Sequence, residues 1–113
     1  MASHRSPLSA TATYILLALG PGERHGYGIM SEVAAQTGGA VRLAPGTLYT
    51  NIKRLVAAGL IEEREQRADP DRDDQRRRYY RLTAAGQQAA VSEVTRMRTL
   101  VARARPWIGE LKG

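Results

Sequence analysis

Apolar residues recur along this chain at spacings that separate helices from strands. Between Ser9 and Leu19, Tyr14, Leu17 and Ala18 share one helical face, and Ile15 and Leu16 widen it. The run predicts a helix that Gly20-Pro21-Gly22 ends. A second helix is expected after Gly26-Tyr27-Gly28. It turns Ile29, Val33 and Ala34 inward and stops at Gly38-Gly39, where Gly38 suits a left-handed helix end. The third helix has the sharpest pattern. Pro45 fits a first turn, where its missing N–H has no partner to lose, and Leu48, Ile52, Leu55 and Val56 form one apolar stripe. Gly46, Thr47, Thr50, Lys53 and Arg54 fall on the opposite side, Tyr49 and Asn51 on the flanks, and Gly59 closes the helix.

The period then changes. Leu60 to Gln66 and Arg77 to Leu82 read as strands, with Tyr79 and Tyr80 favouring extended backbone. The polar connection from Arg67 to Arg76, with Pro70 among aspartates, is longer than a tight hairpin turn. Thr83 reads as the N-cap of a last helix. Its apolar positions are Val91, Val94, Met97, Val101, Ala104, Ile108 and Leu111, close to the 3.5-residue repeat of a helix-packing seam. Pro106 predicts a kink near residues 102–105. Three helices followed by a hairpin describe a winged helix-turn-helix. The expected class is therefore mainly α with a small β-hairpin wing. Residues 8–83 form the winged domain and residues 84–112 a C-terminal helix.

Composition narrows the function. The chain has 113 residues, enough for one domain, and no Cys, which excludes disulfides, thiolate zinc sites and Cys nucleophiles. His4 and His25 are the only imidazoles, and no constellation of residues is left to carry catalysis. No enzyme activity, metal or other cofactor is expected. The stretch from Tyr14 to Leu19 only weakly imitates a signal peptide, and no apolar run is long enough for a membrane span. A cytoplasmic protein is expected.

The net charge is +6, and its placement matters more than its size. Residues 1–61 carry five Lys/Arg and two acids, residues 62–82 seven of each, and residues 83–113 five and two. The excess is built into the domain rather than into a tail, which suits a docking surface. The third helix offers one. A helix N-terminus presents free N–H groups and a partial positive charge to a phosphate, and Gly46 permits close backbone approach. Thr47, Tyr49 and Thr50 can donate hydroxyls to phosphates, while Asn51, Lys53 and Arg54 can reach base edges or backbone. In the hairpin, Arg72, Arg76, Arg77 and Arg78 could straddle a minor groove. Asp69, Asp71, Asp73 and Asp74 neutralise that loop, so the return strand Arg76 to Arg78 is the expected contact. The same aspartates imitate a calcium loop, but Asp74 stands where Gly is needed and Tyr80 where Glu is needed. Gly26-Tyr27-Gly28 has no strand before it and is no dinucleotide fingerprint. His25, in a turn, is expected to be a structural hydrogen-bonder.

The blocks His25-Gly26-Tyr27-Gly28-Ile29, Pro45-Gly46-Thr47-Leu48-Tyr49, Leu55 to Ile61, and Arg78-Tyr79-Tyr80-Arg81-Leu82-Thr83-Ala84-Ala85-Gly86 together resemble the PadR family of transcriptional regulators, over roughly Leu8 to Gly86. Ala44 departs from the family pattern, which often has a capping Ser before Pro-Gly-Thr. By periodicity alone, the last helix could fold back on its own domain or pack on a second copy. The resemblance implies the second, a homodimer through Val94, Met97, Val101, Ala104, Ile108 and Leu111. Two recognition helices would then meet a pseudo-palindromic double-stranded operator. The resemblance further implies a repressor released by a small aromatic effector. Trp107, the one Trp, reads first as a packing residue of the dimer seam and second as a contact for such an effector. The alternative is a winged helix used as a protein-interaction module, against which Lys53, Arg54 and the arginine cluster weigh.

Overall fold

The computed structural model describes residues 7–67 and 76–109, except for the side chains of residues 66, 67, 76 and 77. Arg72, the four aspartates of the hairpin connection and Leu111 lie outside the described residues. The elements run α1 (Ala10–Ala18), β1 (Arg24–His25), α2 (Gly26–Gln36), α3 (Pro45–Ala57), β2 (Ile61–Arg67), β3 (Arg76–Leu82) and α4 (Ala84–Ile108). Ser9 caps α1 by accepting from the Ala12 N–H at 3.1 Å. Gly38 and Gly59 take φ of 61° and 76°, left-handed turns that end α2 and α3.

The sheet has three strands rather than two, in the order β1-β3-β2, all antiparallel. The added strand pairs Arg24 with Tyr80 and His25 with Tyr79. Two residues are too few to show alternation, and the preceding Pro21-Gly22 reads as a turn, so the pattern along the chain carries no trace of it. The second helix also begins earlier than expected, at Gly26 itself. Its cap is His25, whose Nδ1 accepts from the Gly28 N–H at 3.0 Å. That ring also packs edge-on to Tyr79, so the histidine joins α2 to the wing.

One core unites the helices and the sheet. Ile15 and Leu16 of α1, Ile29 and Val33 of α2, and Leu48 of α3 are fully buried, and Leu60, Ile61 and Tyr80 close the core from the sheet side. α4 joins only through its first turns. Thr83 Oγ1 accepts from the Gly86 N–H at 3.0 Å and donates to the Gly59 carbonyl at 2.6 Å. Gly86 packs so tightly that a Cβ there would collide with the Leu60 carbonyl oxygen. Ala89, Ala90 and Glu93 are buried, and Glu93 accepts from the Leu8 N–H and from Arg96, both at 3.2 Å.

Beyond Arg96 the helix leaves the domain. Met97, Leu100, Val101, Trp107 and Ile108 are all exposed, Trp107 at 77%. The helix passes through Pro106 as one element and ends two residues later at Ile108, with Gly109 as its C-cap. No helix among the described residues is long and apolar enough to cross a membrane.

Candidate nucleic-acid interface

The apolar stripe of α3 fixes which side of that helix faces out. Leu48, Ile52 and Leu55 are buried, so Gly46, Thr47, Thr50, Lys53 and Arg54 are left exposed, with Tyr49 on the flank. Three- and four-residue spacing puts Thr47, Thr50 and Arg54 along one crest. Asn51 is half-buried, and its side-chain amide donates back to the Thr47 carbonyl at 2.9 Å. The N-terminus of the helix has no side-chain cap, because Ala44 occupies the cap position. Its carbonyl accepts from the Leu48 N–H at 2.9 Å, which leaves the Gly46 and Thr47 N–H groups pointing out of the helix end. An uncapped N-terminus beside an exposed polar crest is suited to an anion.

The wing lies along one side of this helix. Tyr49, Ile52, Lys53, Val56 and Ala57 of α3 face Glu63, Arg78 and Tyr80 across a groove of about 420 Å³. Two-residue alternation explains the sheet side. Glu63 pairs with Tyr80 and Glu65 with Arg78 in the β2–β3 register, so these four side chains share one face. Lys53 therefore sits on the wing-facing flank rather than at the centre of the outward face. Arg78 is exposed and reaches diagonally to Glu63, Nε to Oε2 at 3.3 Å. Among the described residues Lys53 and Arg54 have no ion pair, whereas Arg24, Arg64, Arg78, Arg81 and Arg96 each have one. Only the backbone of Arg76 and Arg77 is described. It lies in β3 opposite Arg67 and Gln66.

Two tyrosines frame the groove. Tyr49 packs against the start of α2, where a Cβ on Gly26 would collide with its hydroxyl. That contact gives the His25-Gly26-Tyr27-Gly28 block a physical role, since α2 and α3 can approach this closely only with Gly there. Burial pushes the Tyr80 phenol above its ordinary pKa. The Glu63 carboxylate and Tyr49 push it the same way, while Arg78 pulls it down. The groove thus gathers Lys53, Arg78 and two phenols around a single carboxylate. Glu63 and Tyr80 could not be assigned to the interface from sequence. The alternation of Ile61, Glu63 and Glu65 was visible, but the strand register was not.

The opposite face of the sheet makes a larger cleft, about 720 Å³, with α1 and α4. Leu16, Leu17, Val91 and Val94 line it together with Arg64, Arg81 and Arg98. Arg64 pairs with Glu23 and Arg81 with Glu62, at 3.4 Å and 2.6 Å. Of the seam residues, Val94 and Ala104 are half-buried and Met97, Val101 and Ile108 are exposed. Trp107 lines neither the groove nor the cleft.

Comparison with known proteins agrees with this architecture. Residues 15–92 match the model of the transcriptional regulator PadR-like family. The chain is 37% identical over 95 residues to transcriptional regulator Rv3488 of Mycobacterium tuberculosis, covering 84% of this chain and 81% of the relative. Its fold resembles a PadR family transcription regulator from Clostridium difficile, with a TM-score of 0.74 at 22% identity, over 89% of this chain and 100% of the other. It also resembles Bacillus subtilis PadR, solved in complex with operator DNA. There the TM-score is 0.62 at 21% identity, and the match spans 93% of this chain but 50% of that one. The chain belongs to the PadR-like family of transcriptional regulators, which are DNA-binding regulators and not enzymes.

Proposed function

We propose that this regulator is a homodimer that reads a pseudo-palindromic operator with α3 and acts as a repressor released by a small aromatic molecule. The observation that carries the DNA-reading part is the outward crest of α3. Thr47, Thr50 and Arg54 lead away from an uncapped helix end, and Lys53 and Arg78 flank them. In this reading Arg54 and Asn51 reach base edges in the major groove. Gly46, Thr47, Tyr49, Thr50 and Lys53 hold phosphates, and Arg76, Arg77 and Arg78 of the wing follow the backbone toward the minor groove. The operator-bound Bacillus subtilis PadR supports the use of this fold on DNA. Residues 8–83 serve as the reading domain and residues 84–112 as the dimerisation helix, acting in the cytoplasm.

The dimer reading rests on the distal half of α4. Leu100 is 63% exposed and Trp107 77%, a surface that a second copy would cover. Trp107 is the candidate effector contact at that junction, because an aromatic plate beside a helix seam suits a planar ligand.

The test is a binding shift on the DNA upstream of the chain's own gene, with wild type and Arg54→Ala, across a salt series. Wild type should weaken steeply as salt rises. Arg54→Ala should lose about 1–3 kcal/mol and relax preference at one base position while keeping the fold. Unchanged affinity and selectivity in the variant would remove α3 from the base-reading role.

A further inference from the structure

A third hollow, of about 260 Å³, lies beside the N-terminal end of α3 and shares no residue with the groove that the wing closes. Met30, Ala34 and Leu43 are half-buried in it, and Tyr27, Ser31 and Arg42 stand exposed around it. Spacings of four and three residues put Tyr27, Ser31 and Ala34 on one face of α2. Arg42 comes two residues before Ala44, so no more than about 7 Å of extended chain parts it from the uncapped start of α3. We infer that Tyr27, Ser31 and Arg42 form a second anchor for DNA, which seats a backbone phosphate next to the one at the α3 end and does not read sequence. The inference rests on the DNA-binding reading above and adds contacts from α2 and the turn after it, which that reading leaves unused.

Charge sets this hollow apart from the wing-side groove. No Asp or Glu lines it, whereas Glu63 lines the groove. The one acid of α2, Glu32, is held by Arg24 at 3.5 Å. Among the described residues Arg42 has no ion pair or hydrogen bond, and the Tyr27 side chain, 73% exposed, has no hydrogen bond. Water alone meets both, so no internal bond has to break when a phosphate arrives. Their positions are nevertheless fixed. The Val41 N–H donates to Thr37 Oγ1 at 3.0 Å, and Val41 and Leu43 pack against the core on either side of Arg42, which turns it outward. Its Nη2 lies over Gly39, 3.2 Å from where a Cβ would stand. The Tyr27 ring stacks on His25 with centroids 6.5 Å apart, and His25 is itself held by its bond from the Gly28 N–H and by Tyr79. Tyr49 of α3 packs against Gly26, next to Tyr27, so the helix flank and the hollow adjoin. One guanidinium and two hydroxyls, without a side-chain amide or carboxylate, suit phosphate oxygens rather than base edges. With a single cation and an open rim, the hollow holds a free phosphate weakly. A duplex already seated on α3 delivers its phosphate at high effective concentration.

Affinity and salt dependence together carry the signature. Arg42→Ala should weaken binding about fivefold per protomer at about 0.15 M salt, and flatten the slope of log affinity against log salt by about 0.9 per protomer, one counterion fewer released. Arg42→Lys should restore the slope. Tyr27→Phe removes no charge, so it should weaken binding about threefold per protomer and leave the slope as it was. Each loss should be equal on the DNA upstream of the chain's own gene and on a random-sequence duplex, unlike the loss in Arg54→Ala. Both positions are exposed, so the urea midpoints should match wild type. Wild-type affinity and slope in Arg42→Ala, wild-type affinity in Tyr27→Phe, or losses confined to one duplex would overturn the inference. The DNA reading would then still stand wherever Arg54→Ala relaxes base preference. A wild-type chain that binds no duplex at all would overturn both.

Discussion

α3 and α4 are both amphipathic helices, and the chain uses their apolar residues in opposite ways. α3 turns Leu48, Ile52 and Leu55 into the core of its own domain and leaves a polar crest outside. α4 does this only as far as Glu93. Past that point Met97, Leu100, Val101 and Ile108 stay exposed on a helix that has left the domain. A helix that buries its stripe internally is held in one orientation and can present side chains with precision. A helix that keeps its stripe exposed has no such internal anchor, and its orientation depends on whatever covers it. The same periodicity therefore fixes a helix in one place and leaves an apolar stripe uncovered in the other.

The strongest test contrasts one residue from each stripe. Leu48→Ala should destabilise the domain by about 2–5 kcal/mol, because the fully buried site cannot collapse completely around the missing atoms. Val101→Glu should leave the denaturant midpoint of a dilute, monomeric sample within about 0.5 kcal/mol of wild type, since its position is exposed in the single chain. At micromolar concentration the same variant should sediment as a monomer where wild type sediments as a dimer, because association would bury an unpaired carboxylate. Equal losses of stability in both variants, or a wild type that is itself monomeric, would erase the contrast.

Glu93 marks the boundary between the two halves of α4. It is buried, and it accepts from the Leu8 N–H and from Arg96, tying the segment before α1 to the last helix. Removing that acceptor in Glu93→Ala leaves a partly buried N–H unmet and should cost about 1–3 kcal/mol. Glu93→Gln keeps an acceptor and should lose less. Thermal melts of both variants check this. A Glu93→Ala protein as stable as wild type would mean that the N-terminal segment contributes nothing to holding α4, and that the fixed part of the helix ends before Glu93.

What could be read from the sequence follows the same division. Leu48, Ile52, Leu55 and Val56 repeat with a period that any helix must obey, and Pro45, Gly59 and Thr83 mark ends by local chemistry alone. Those elements were legible because their causes lie within a few residues. The two-residue strand Arg24–His25 was not, since its partners Tyr79 and Tyr80 lie more than fifty positions away. Gly86 and Gly26 look like ordinary helix and turn residues until tertiary packing brings the Leu60 carbonyl and the Tyr49 hydroxyl against them. The Glu63–Arg78 pair depends on a strand register that no local pattern fixes. On α3 itself the outward residues were legible as a set, but the wing-facing placement of Lys53 and Tyr49 needed the position of the sheet.

The smallest effect separates folding from function on the better-defined helix. Ala44 occupies the cap of α3 and offers no side-chain oxygen, so the helix begins with N–H groups that no side chain among the described residues caps. Ala44→Ser supplies that oxygen. At an N-cap this exchange is worth about 0.5–2 kcal/mol, with the lower end expected because the position is exposed and water already meets the N–H groups in part. Stability measured by urea unfolding should rise by that amount. The serine oxygen would then occupy the place a phosphate oxygen takes at the helix end, so DNA affinity should rise less than the added stability suggests, or fall slightly. If stability and affinity rise together in full, the serine has ordered the helix without competing, and phosphate does not use the Gly46 and Thr47 N–H groups. If stability rises while affinity drops, the bare helix end is part of the binding surface, and the alanine that looks like a lost cap is what leaves the site open.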